Sequence, residues 1–161
     1  WMHFRSWSLR PFKNGKTLLY CNNNIYIFWN AYCFYRRVHQ MKAQLKNRTK
    51  KFAVDCWYLC EKFPTTRGYD AYCRQLIRCS SSVGANYRAA CRAKSDADFI
   101  NKLKIVEEEA DESMFFLEIF SIISKKEQQE IERLLKEANE LLSITVASIN
   151  TMRKKISQKR K

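Results

Sequence analysis

Five arginines set the first chemical question. Arg74, Arg78, Arg88 and Arg92 fall within one narrow stripe of a helix, with Arg67 in line before them. A row of guanidinium groups can grip phosphates, and the tail RKKISQKRK adds Lys154 and Lys155. The competing reading pairs these arginines with the acidic run EEEADE at residues 107–112 on the next helix, the commoner fate of charge runs on bundles.

Other constellations point away from catalysis. Glu108 and Glu112 stand one helical turn apart, as do Glu107 and Asp111, which is how di-metal bundles present carboxylates. Such sites also need Glu-x-x-His pairs, and the histidines are His3 and His39, far from these acids in the chain. Cys56 and Cys60 are a turn apart but lack further metal ligands, so core packing is the expectation. Ser80, Ser81 and Ser82 have no histidine base within residues 41–161. No catalytic residue, metal or cofactor is expected, and the chain reads as a non-enzyme.

The elements that carry these residues read as helices. With Gly 3 and Pro 2 among 161 residues, connections must be few and short. Residues 41–63 place Leu45, Phe52, Cys56, Leu59 and Phe63 at helical spacing, stopped by Pro64. PTTRG is a short link, after which Tyr69, Tyr72, Leu76, Val83, Tyr87 and Ala90 share one side of a second helix. Gly84 interrupts that helix at a cost of about 1 kcal/mol against alanine. Together with Asn86 it predicts a tight, polar helix crossing at mid-bundle.

SDAD at residues 95–98 is a capping box that opens a third helix running to about Ile123, and SKKE at residues 124–127 predicts another for the fourth. The fourth has a bundle seam of Ile131, Leu134, Leu135, Ala138, Leu141, Leu142, Val146, Ile149, Met152 and Ile156. Four helices with short links predict an all-α, antiparallel up-down four-helix bundle. Helix three is apolar on two sides. Phe99, Leu103, Val106, Ala110, Met114 and Leu117 suit the core, while Ile105, Phe116, Ile119, Phe120 and Ile123 predict a contact with a neighbouring subunit.

Residues 1–40 are of another kind, with no Asp or Glu and half the aromatics of the chain. Their apolar run IYIFWNAYCFY is shorter than the roughly 18 residues a membrane span needs, and no cleavable signal pattern is present. The expectation is a poorly ordered leader translated from DNA upstream of a true start at Met41. Arg36 and Arg37 would then be encoded by a ribosome-binding AGGAGG. A membrane-surface or partner-binding arm is the second reading. Residues 41–161 form the predicted bundle domain and keep 24 Lys and Arg against 16 Asp and Glu, a net +8 within the whole chain's +14. Such an excess attracts polyanions. The seven cysteines contain no C-x-x-C pair, which predicts reduced thiols and a cytoplasmic setting.

QLIRCSSSVGANYRAACRAKSDADFINKLKIVEEEADESMFFLE, residues 75–118, resembles the signature of bacterial four-helix bundle proteins encoded within intervening sequences of 23S ribosomal RNA genes. The similarity runs from about Met41 to the end of helix four. Cys79 and the serines after it depart from the arginine and glycine frequent there in the family. The resemblance implies a ring-like homopentamer, and a fold similar to the accessory protein of diversity-generating retroelements, a basic pentamer that binds a reverse transcriptase and nucleic acid.

Two functions follow as expectations. One is a non-catalytic basic oligomer that binds RNA or DNA through Arg67, Arg74, Arg78, Arg88, Arg92, Lys154 and Lys155, with affinity added over its copies. The other is an interaction scaffold that holds a polymerase or other protein without nucleic-acid affinity. Gly84, Asn86, Glu108 and Glu112 are read as structural, and no membrane partner is expected.

Overall fold

In a computed structural model the chain is described at residues 9–12, 16–19 and 25–159, with side chains from residue 35 onward. It divides into two compact units, Trp1–Met41 and Lys42–Lys161. In the first, β1 (Leu9–Phe12) and β2 (Lys16–Leu19) pair antiparallel, with Leu9 opposite Leu19 and Phe12 opposite Lys16. Among the described residues four helices follow, the first of them running from one unit into the other: α1 (Ile25–Glu61), α2 (Arg67–Ala90), α3 (Asp96–Ile123) and α4 (Gln128–Lys159).

Helix α1 starts upstream of the expected position at Met41, because residues 25–40 contain neither glycine nor proline to stop it. At its other end the chain tightens, with Lys62 and Phe63 N–H groups donating to the Leu59 and Cys60 carbonyls, and Pro64 blocks continuation. Thr66 caps α2 through its hydroxyl, which accepts from the Tyr69 N–H, so Arg67 and Gly68 belong to the helix and not to the link.

Ser95 caps α3 as its sequence predicts, accepting from the Asp98 N–H at 3.1 Å. Asp98 reaches back one residue further than in a standard capping box, accepting from the Lys94 N–H at 2.9 Å. The second expected box does not form. Ser124 is buried and ends α3, its N–H donating to the Phe120 carbonyl, while the Glu127 carbonyl accepts the first bonds of α4. Gln128 joins the two helices by donating Nε2 to the Ser121 carbonyl at 2.8 Å.

Cross-helix partners fix the direction of each helix. Along α1 and α4, Arg48 meets Glu137, Asp55 meets Arg133, and Lys62 meets Glu127, so one number falls as the other rises. Thr49 lies beside Gly84 and Cys60 beside Cys73, which makes α1 and α2 antiparallel. Arg78 with Glu112 and Tyr72 with Phe116 do the same for α2 and α3, and Asp96 with Lys159 for α3 and α4. The second unit is thus an all-helical, antiparallel up-down bundle.

Its core takes Phe52, Cys56 and Leu59 from α1, Leu76 and Val83 from α2, Leu103, Val106 and Leu117 from α3, and Ile131, Leu134 and Leu141 from α4. Phe120 belongs to this core. Its ring is fully buried and stacks on Phe63 with centroids 4.4 Å apart. It is therefore not available to a second subunit, a correction to its expected place on the outer side of α3. Of that outer group, Phe116 and Ile119 are half-buried, and Ile105 and Ile123 are exposed.

Small polar residues that the apolar spacing omits also lie inside, Thr145 and Ser113 among them. Thr145 donates Oγ1 to the Leu141 carbonyl, and Ser113 donates Oγ to the Glu109 carbonyl, so each hydroxyl is satisfied on its own helix.

Candidate functional site

The bundle sorts the charges of α1 by flank. On the side facing α4, Arg48 grips Glu137 with two bonds of 2.8 Å and Glu140 with a third. One to two turns on, Asp55 accepts from Lys51 and from Arg133, both at 2.6 Å, and Arg133 also holds Glu130. Burial pushes the Asp55 carboxyl up, but hydrogen bonds from Lys51 and Arg133 outweigh it and hold the group below the usual carboxylate range. The hydrogen bond from Arg133 lowers Glu130 as well.

On the opposite flank of α1 the groove lining has cations and no acids, with Glu61 one turn beyond Trp57 at the end of the helix. Lys46, Lys50, Ala53, Val54 and Trp57 recur one turn apart and face Ile77, Ser81, Ala85, Arg88 and Arg92 of α2 and its end. Between them is an open groove of about 640 Å³. Gly84 lies in its floor, and a Cβ there would meet the Thr49 carbonyl oxygen at 3.5 Å. The glycine marks the close approach of the α1 and α2 backbones at this crossing. Among the described residues, Lys46, Lys50, Arg88 and Arg92 form no ion pair. Four uncompensated cations over an apolar floor can hold an anion with an apolar part.

The arginine stripe thus divides. Arg88 and Arg92 reach the groove. Arg74 pairs with Asp70 on its own helix, and Arg78 pairs across to Glu112, with Glu109 at 3.5 Å. The acid beside Glu112 in this pairing is Glu109 and not Glu108, which is exposed and forms no ion pair among the described residues. Arg67 is exposed at the start of α2, and Lys154 and Lys155 are exposed near the end of α4, all three away from the groove lining. Asn86 Nδ2 donates to the Ser82 carbonyl of its own helix at 3.0 Å.

Lys46, Lys50 and Trp57 are among the groove residues that the sequence reading leaves out. Their signal is the second stripe of α1, in which two lysines, a valine and a tryptophan follow at steps of four, four and three.

The cysteines whose side chains are described carry free thiols. Burial pushes Cys56, Cys60 and Cys79 up from the ordinary thiol value, so they stay protonated and inert as nucleophiles. Ser113 Oγ also lies 3.1 Å from the Cys79 sulfur, a polar contact inside the core. Among the described residues no cluster of His, Cys, Asp and Glu is placed to hold a metal ion, and no helix is long and apolar enough to cross a membrane.

A solved structure from Bacteroides thetaiotaomicron VPI-5482 is similar to this chain. It is a protein with unknown function from the S23 ribosomal protein family, 28% identical, with a TM-score of 0.62 over 68% of this chain and 97% of that one. Among curated proteins, none matches. The model of the 23S rRNA-intervening sequence protein family matches residues 41–156, a stretch that takes in all of α2 and α3, both sides of the groove and the pairing of Arg78 with Glu112. The chain belongs to the 23S rRNA-intervening sequence protein family.

Proposed function

We propose that this protein is a non-catalytic, basic oligomeric bundle that binds nucleic acid, RNA first, through the groove between α1 and α2. The observation that carries this reading is the set of unpaired cations Lys46, Lys50, Arg88 and Arg92 gathered at one groove, while Arg48, Lys51, Arg74 and Arg78 of the same helices are paired with acids. A polyanion is the partner that uses such a surface without a matching acidic patch of its own. The family's name ties it to intervening sequences of 23S rRNA, which makes RNA the first polyanion to test.

Assembly into a homo-oligomer, expected to be a pentamer, belongs to the same proposal. Copies of the groove add their phosphate contacts and raise affinity with little sequence preference. The test is fluorescence anisotropy of labelled RNA against the full chain over a salt series. Four phosphate contacts per site predict a slope of about −3 in log K against log salt on a single strand. Absence of binding at low salt overturns the reading.

A scaffold function is the second reading, favoured by the exposed apolar residues Phe115, Ile122 and Ile123 on α3. Retention of a protein partner after nuclease treatment, with no RNA bound by the pure chain, would select it.

A further inference from the structure

The groove has a feature that phosphate binding alone does not use. Trp57 lines it with its side chain 44% exposed, beside Val54 at 45%. The one ring contact of Trp57 among the described residues is edge-on, to Tyr58, with centroids 5.0 Å apart at 70°. At least one face of the indole is therefore without a ring against it. Ala53, Ile77 and Ala85 extend the apolar floor around it.

The antiparallel pairing of α1 with α2 orders these residues along the groove. Thr49 lies at Gly84, so Lys46 stands by Arg88 with Arg92 a turn beyond, Lys50 lies beside Gly84, and Trp57, two turns further along α1, stands by Ile77. Cations occupy one end and the aromatic platform the other, about 16 Å apart from Lys46 to Trp57 along the helix.

We infer that the groove takes single-stranded nucleic acid, with a base stacked on Trp57 while neighbouring phosphates lie on Lys46, Lys50, Arg88 and Arg92. This rests on the nucleic-acid reading above and specifies its substrate class. A duplex offers only phosphates and sugars to such a surface, because its base faces are stacked on one another, and it would leave the indole and the apolar floor exposed. A single strand offers both phosphates and free base faces, and a basic groove with an aromatic platform is the arrangement that binds it without reading sequence.

The experiment compares a fluorescein-labelled oligouridylate, which has no secondary structure of its own, with an RNA hairpin duplex of equal charge. Anisotropy is read on the full chain and on its Trp57→Leu and Trp57→Phe variants, with circular dichroism to confirm folding. The expected result is tighter binding of the single strand than of the duplex. Trp57→Leu should cost about tenfold on the single strand and nothing on the duplex, and Trp57→Phe should retain most of the affinity. Equal affinity for both RNAs, or a Trp57→Leu variant that binds the single strand as the parent does, overturns the inference while leaving nucleic-acid binding intact. A Trp57→Leu variant that changes sedimentation but not RNA affinity also overturns it, assigning the groove to a second copy of the chain. Failure of the parent to bind either RNA at low salt is the separate failure of the underlying reading.

Discussion

Arg78 of α2 donates Nη2 to Oε1 of Glu112 on α3, and its Nη1 stands 3.5 Å from Oε2 of Glu109. Pairing with Glu112 raises the guanidinium further above its already high value. The group is committed to a neighbouring helix, whereas Arg88 two to three turns along the same helix is not. Arg88→Ala and Lys50→Ala should therefore each weaken RNA binding several-fold and reduce the salt slope by about 0.7. Arg78→Ala should leave both unchanged. Anisotropy over the same salt series checks this, and an Arg78→Ala loss as large as that of Arg88→Ala would return the whole stripe to the binding surface.

Glu109 sits under that pair with its Oε2 buried and without a hydrogen-bond partner, since the Arg78 contact is too long. Burial pushes its carboxyl above the ordinary 4.5, partly offset by Arg78, with Glu112 and Glu108 pushing the same way as burial. A raised carboxyl binds its proton more tightly in the folded chain than in the unfolded one. Stability thus falls as pH rises from 4.5 through the folded value, and stays lower at neutrality. Glu109→Gln should be more stable at pH 7 by up to about 1 kcal/mol, with the gain vanishing at pH 4. Urea melts at the two pH values measure it, and a loss at pH 7 would show that the charge is needed by Arg78.

The bundle was legible in the sequence because its elements are long and their apolar residues strictly periodic. Ile131, Leu134, Ala138, Leu141 and Ile149 lie in the core where their spacing puts them. Phe120 was not legible, since a residue on the border between two apolar stripes goes to whichever side has room, and Phe63 provides a stacking partner on the inside. The groove was half legible. Arg88 and Arg92 stood out by charge, but that Arg78 is paired and Lys46 is not depends on which acids the folded neighbours bring near. Charge patterning along one helix cannot supply that.

The seam between α1 and α4 gives a prediction of opposite sign to Glu109. Asp55 is held below its ordinary 3.8 by Lys51 and Arg133, and Glu130 below its ordinary 4.5 by Arg133. Groups of this kind bind protons more weakly when folded, so their stabilisation is complete above the unfolded values and drains away as pH falls through the lower folded ones. Arg133→Met should cost about 1 kcal/mol at pH 7, a value already reduced for the half-exposed guanidinium, and should flatten the loss of stability below pH 4. Thermal melts between pH 2 and 7 check both parts.

At Gly84 size should decide the outcome. A Cβ would rest at ordinary contact distance from Thr49, 3.5 Å from its carbonyl oxygen and 3.6 Å from its carbonyl carbon. Gly84→Ala is expected to leave the fold intact and to stabilise α2 by up to about 1 kcal/mol through helix propensity. Gly84→Leu has nowhere to go but against α1 or into the groove, and should either destabilise the chain by about 1–3 kcal/mol or block RNA binding. A Gly84→Leu variant with parental stability and parental affinity would refute the groove's dependence on this position.

Phe115 and Phe120 on α3 separate folding from assembly. Phe120 is fully buried, and Phe120→Ala should cost about 3–5 kcal/mol whatever the oligomeric state. Phe115 is 55% exposed and Ile122 80% exposed, and neither contributes to the core of its own subunit. A subunit that left them in water would present apolar surface with no gain, whereas contact with another copy buries it. The double substitution Phe115→Ser with Ile122→Ser should lower the mass found by sedimentation while a single subunit's helix content is kept. RNA affinity should fall with it, because the copies no longer bind together. If the parent itself sediments as a single subunit, α3 is not an assembly surface, and the multivalent part of the proposed function fails while the groove of each subunit remains to be tested by its own cations.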